Sequence, residues 1–156
     1  MAGALLTCCS RGSDETPRVR VTVVSIEKDT VRFALPARAR YCDDRRSVLL
    51  ESVSPWGNGI LVRLRYGDSL ASGTYAVISP GDTTTRGASV GLRYMVRDVA
   101  HSVTEDSGSV EVRRGTRQFD ALAKGWGLDR TVRVPITAEY TGVPLRADTV
   151  PCRYEP

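Results

Sequence analysis

Histidine is nearly missing from this chain: 156 residues hold one, His101. That excludes the usual zinc-ligand clusters, so neither a metal nor a cofactor is expected. Lysine is almost as scarce, with Lys28 and Lys124 set against 20 arginines. No apolar run approaches the ~20 residues of a membrane-spanning helix. Also lacking are a phosphate-cradling glycine loop, a nucleophile elbow and a metal motif, so no catalytic residue is assigned. Arginine is the residue of choice for phosphate recognition. Here, though, the basic residues lie scattered among 18 acids, and no run is longer than Arg45–Arg46 or Arg113–Arg114. A net charge of +4 so dispersed is no nucleic-acid footprint, and arginine-rich codon usage accounts for it.

What is present describes one folded domain. Hydrophobic residues make up 41% and charged residues 26%, enough apolar material to build a core and too little charge for wholesale disorder. Four cysteines occupy two settings: Cys8 and Cys9 at the front, Cys42 and Cys152 in the body.

The chain opens MAGALLTCCSRGSDETPR. Ala2 to Leu6 read as the end of a signal's apolar middle. Leu6-Thr7-Cys8-Cys9 resembles the bacterial lipobox, in which a branched apolar residue and two small residues precede a lipidated cysteine. Cys9 fits that position better than Cys8, because Leu6 then takes the branched place. The resemblance covers about nine residues and departs from the pattern in placing a cysteine just before the acceptor. It implies lipidation at Cys9 (or Cys8), a basic signal start upstream of Met1, and a cell-envelope protein, lipid-anchored to a membrane or secreted. Ser10 to Pro17 are polar and free of hydrophobes, as a tether should be. Residues 1–17 are therefore set apart as signal remnant and tether, and 18–156 as one domain.

From Arg18 onward the dominant period is two, the mark of half-buried strands. Val19, Val21 and Val23 alternate with polar neighbours, and a phase slip toward Ile26 predicts a β-bulge at Val23–Val24. Pro36 to Arg40 break the pattern and read as a loop or helical turn. Ser47–Val53 carries apolar residues on both faces, as a central strand does. Asn58-Gly59 signals a hairpin. Further strands are predicted at Gly73–Ile78 and at Ser89–Arg97, where Val90, Leu92, Tyr94 and Val96 share one face. Two more follow around Val110–Val112 and Phe119–Ala123, and the last over Thr131–Tyr140. Pro135 cannot donate to a ladder and predicts one-sided pairing there. The result is an all-β, antiparallel β-sandwich or partly open barrel of about eight or nine strands. The rhythm of Ser107–Tyr140 resembles the closing hairpins of bacterial secreted β-sandwich lipoproteins, a likeness of pattern that implies no common function.

In an exported protein Cys42 and Cys152 are expected to be bridged, closing a loop of about 110 residues, worth on the order of 4–5 kcal/mol in the chain-entropy model. Asp43-Asp44 reads as a turn rather than an acid–base pair. His101, in DVAHSVTEDSGS, reads as a solvated loop residue, with a general-base role beside Ser102 as the sharper alternative. Trp126, between Gly125 and Gly127, and Trp56, in PWGNG, are the binding candidates. Each either caps the core or projects to stack on a sugar or partner protein. The leading functional reading is a structural or binding role in the envelope, with partners in the membrane and in an envelope protein or glycan. A carbohydrate- or ligand-binding module is its specific form, and a carboxylate-dependent hydrolase is the rival. The oligomeric state is not specified by the sequence.

Overall fold

A computed structural model describes Thr16 and residues 18–152. Cys8 and Cys9, and with them the lipobox reading, lie outside the described residues. The described chain is all-β and contains ten strands and no helix. They are β1 (Val19–Val24), β2 (Thr30–Leu35), β3 (Arg38–Cys42), β4 (Ser47–Val53), β5 (Gly59–Arg65), β6 (Gly73–Ala76), β7 (Gly87–Val96), β8 (Val99–Arg114), β9 (Gln118–Asp129) and β10 (Val132–Val150). Pairing is antiparallel throughout except between β3 and β10, which run parallel. From β10 the ladder passes through β3, β4, β5, β7 and β8 to β9, which pairs with β10 again. β1 and β2 extend from β10, and β6 extends from β8. The sheet thus curls over one core without forming a simple up-and-down barrel.

Three long strands make the curl possible. β10 (19 residues) is flanked by β9 on one side and by β1 and then β3 on the other. Each long strand must bend, and the register shifts where bending occurs: between Glu105 and Ser107 on β8, and between Tyr140 and Val143 on β10. Gly108 (φ +129°) and Gly142 (φ +57°) sit at these shifts in backbone conformations that disfavour a side chain.

The inward rows form one apolar cluster, including Val19, Val21, Val48, Leu50, Ile60, Val90, Leu92, Phe119 and Ile136. On β7, Val90, Leu92, Tyr94 and Val96 are buried while Arg93 faces out, as the alternation predicts. Arg97 is exposed in the following turn rather than in the strand. β4 pairs on both sides, consistent with its two apolar faces. At Pro135, β10 pairs with β9 only, since the β1 ladder stops at Ile136.

Several expectations are corrected. No bulge interrupts β1: its register against β2 runs unbroken, and the inward row continues to Ser25 rather than slipping to Ile26. The buried Ser25 hydroxyl accepts a hydrogen bond from the Asp29 amide (3.1 Å), so a polar residue occupies an inward place. Residues 38–42 form a strand, not a loop or helical turn. Pro36 stands ahead of it, and its inward residue Ala39 is too small to mark a face. The last strand does not end at Tyr140 but continues to Val150 as the second half of β10. In the β4–β5 hairpin the positive φ belongs to Gly57 (+96°), while the Asn58 side chain accepts from the Met95 amide (2.9 Å). Cys42 and Cys152 are joined in a disulfide with Cα atoms 5.4 Å apart, within the reach of such a bond.

Candidate functional site

His101 is not a solvated loop residue. It lies on β8, 3% exposed, in an inward row with Val103 and Glu105. Its Nδ1 is 2.8 Å from Asp129 Oδ2, at the end of β9, and the same oxygen accepts from the Tyr94 hydroxyl at 2.6 Å. A carboxylate only accepts, which places the imidazole proton on Nδ1. The Tyr94 and His101 rings stack with centroids 4.9 Å apart. Burial, followed by the hydrogen bond to Asp129 and its charge, pushes the Tyr94 hydroxyl pKa far up. One carboxylate so ties β7, β8 and β9 together. The arrangement has the outline of an acid–base dyad, yet His101 Nε2 is buried without a partner among the described residues, and Ser102 faces outward on the opposite side of the strand. No nucleophile meets the imidazole, and all three side chains are sealed in the core.

Glu105, two places further along the same inward row, is the opposite case. Both its carboxylate oxygens are buried without a hydrogen-bond partner among the described residues. Desolvation, with a smaller contribution from the charge of Asp106, raises its pKa to about 8. It fits because β9 presents glycine opposite it: a Cβ at Gly125 would lie 2.8 Å from Glu105 Oε2. The Tyr140 hydroxyl is likewise buried and unpartnered, its pKa pushed up by burial and then by Glu105.

The two tryptophans are both exposed, so neither folds back to cap the core. Trp126 is not in a loop. It stands mid-strand on the outer face of β9, 48% exposed and paired with Pro135 and Ser107. The flanking glycines reflect crowding by β8, since a side chain at Gly127 would run into the Thr104 carbonyl and Val103. Arg133 lies over the indole, 5.9 Å from its centre, and is held by Asp106 (2.8 Å) and Ser107 (2.6 Å).

Trp56, at the tip of the β4–β5 hairpin, is 83% exposed. It lines a cleft of about 630 Å³ whose other walls come from the approach to β1, the β2–β3 link, β4 and the far half of β10. Arg18, Arg38 and Arg146 enter this cleft, and Glu51 is its one acidic residue among the described residues. Glu51 is engaged on two sides, by Arg38 (3.1 Å to each oxygen) and by Arg40 (2.8 Å). The Arg38 hydrogen bond outweighs desolvation and, with Arg40, keeps its pKa low. Arg18 donates to the Gly142 carbonyl. The Arg146 side chain makes no hydrogen bond or ion pair with a described residue. These arginines are dispersed in the sequence and are gathered by the pairing of β10 with β1 and with β3. Trp126 does not line this cleft.

Asp43 and Asp44 lie in the β3–β4 turn, as expected, beside a second cleft that also holds Arg46, Arg63, Arg65 and Cys152. Asp44 is committed to the turn: it accepts from the Arg46 amide (2.8 Å) and Ser47 hydroxyl (3.1 Å) and pairs with Arg65 (3.3 Å). Among the described residues no group of three or more His, Cys, Asp or Glu side chains is placed to hold a metal ion. The chain matches no protein-family model, no curated protein and no solved structure.

Proposed function

We propose that the protein is an exported, lipid-anchored binding module of the cell envelope that takes carbohydrate in the cleft beside Trp56. The observation that carries this reading is the indole itself. A tryptophan 83% exposed at a hairpin tip forgoes the burial that favours so large an apolar ring. Its flat face beside a cleft with hydrogen-bonding walls is the combination that sugar rings use, stacking on one side and polar contacts on the other. The Cys42–Cys152 bridge supports export, because such bonds persist in oxidising compartments. A hydrolase reading has less behind it: the ionisable groups with a catalytic outline are sealed in the core, and Asp44 is spent on a turn.

Two measurements test the proposal. On a glycan array, the purified chain should bind a subset of glycans, and Trp56→Ala should weaken that binding at least tenfold without lowering the melting temperature. Failure of the wild type to bind any glycan would refute the carbohydrate reading. Expressed with its upstream region in a bacterium that lipidates exported proteins, the protein should take up labelled palmitate, and Cys9→Ala should abolish uptake. Label that persists in the variant would sink the anchor at Cys9.

A further inference from the structure

Resting on the carbohydrate reading of the same cleft, we infer that its ligand is an acidic saccharide, whose ring lies on Trp56 and whose anionic group is held by Arg146 and Arg18. Three guanidinium groups line the cleft against one carboxylate, and that carboxylate is already engaged by Arg38 and by Arg40 beside it. The remaining charge is therefore positive and directed at the space Trp56 borders. A neutral sugar would leave it uncompensated.

The arginines differ in what they have left to offer. Arg18 is half-buried and fixed by its bond to the Gly142 carbonyl, which orients the rest of its guanidinium fork. Arg146 is exposed on the far half of β10 and has its donors unused among the described residues. A planar guanidinium of this kind matches a carboxylate or a phosphate with two parallel hydrogen bonds. A fixed donor just ahead of β1 and a free one on the neighbouring β10, with an aromatic platform beside them, select for a ring that carries an anion rather than for an anion alone. The other exposed indole, Trp126, differs in that its arginine, Arg133, lies over the ring and is held by Asp106 and Ser107.

Titration calorimetry on the full chain tests this with three probes: trigalacturonate, its fully methyl-esterified counterpart, and tripolyphosphate. Trigalacturonate should bind at least tenfold more tightly than the neutral ester, and its affinity should fall as salt is raised. Arg146→Ala should bring trigalacturonate down to the level of the ester and leave the ester unchanged. Trp56→Ala should weaken both sugars. Equal binding of acid and ester, or an Arg146→Ala variant that binds trigalacturonate as the wild type does, would overturn the acidic assignment and leave a neutral-sugar site standing. Tripolyphosphate binding as tightly as trigalacturonate, with Trp56→Ala altering neither, would overturn the saccharide altogether and leave a simple polyanion patch.

Discussion

The interior of the β7–β8–β9 corner and the cleft beside Trp56 both gather polar chemistry, and they do so with opposite exposure. Inside, Asp129, His101 and Tyr94 have the residue types of an acid–base site, but each is closed off from solvent and two of their contacts are spent on one carboxylate. Outside, the residues are plain, an indole and several guanidiniums, yet they meet solvent and one of them, Arg146, has no side-chain partner among the described residues. Residue type alone points to the first region and accessibility to the second. A group that cannot touch a ligand acts only on stability, for better or worse, whereas a free donor at the surface can meet one.

Breaking the interior network should have the largest effect. Asp129→Ala removes the shared acceptor and strands the Tyr94 hydroxyl and the His101 Nδ1–H in the core. The expected loss is about 3–5 kcal/mol of stability, read as an earlier midpoint in denaturant melts. Sugar affinity of the fraction that remains folded should not change. A melt within about 0.5 kcal/mol of wild type would show that the network is not structural.

Glu105 sharpens the contrast, because it is buried as deeply but unsatisfied. Its folded-state pKa near 8 lies above the ordinary 4.5, so between those values the folded chain holds a proton that the unfolded chain gives up. Stability must then fall as pH rises through that window, by up to about 1.4 kcal/mol per unit, and level off above pH ~8. Glu105→Gln keeps the shape and removes the titration. The two proteins should have similar stability near pH 4, and the variant should pull ahead progressively toward pH 8. Parallel pH profiles would mean that Glu105 is ionised and solvated in the folded state.

How legible was this in the sequence? Strands with apolar inward rows, such as Gly59–Arg65 and Gly87–Val96, could be read directly, since burial and period coincide. Elsewhere the inward places are held by Ser25, His101, Glu105 and Asp129, and polar residues there look like loop. That is why His101 read as solvated, and why β8 was visible only from Val110 onward. Gly125 and Gly127 look like loop punctuation in the sequence, but they mark a close approach of β8 on either side of Trp126. The disulfide was legible because Cys42 and Cys152, set apart from Cys8 and Cys9, have one pairing between them. The cleft was not, since its arginines come from positions 18, 38 and 146 and meet only through the pairing of β10 with β1 and β3.

The claim that Trp56, not Trp126, is the face that meets ligand can be tested with two single-tryptophan proteins. Titrated with trigalacturonate, the Trp126→Phe variant, which retains Trp56 alone, should show a saturable change in indole emission at the concentration where calorimetry detects binding. The Trp56→Phe variant, which retains Trp126 under Arg133, should show none. A saturable response from the protein that keeps Trp126, with silence from the one that keeps Trp56, would contradict the account.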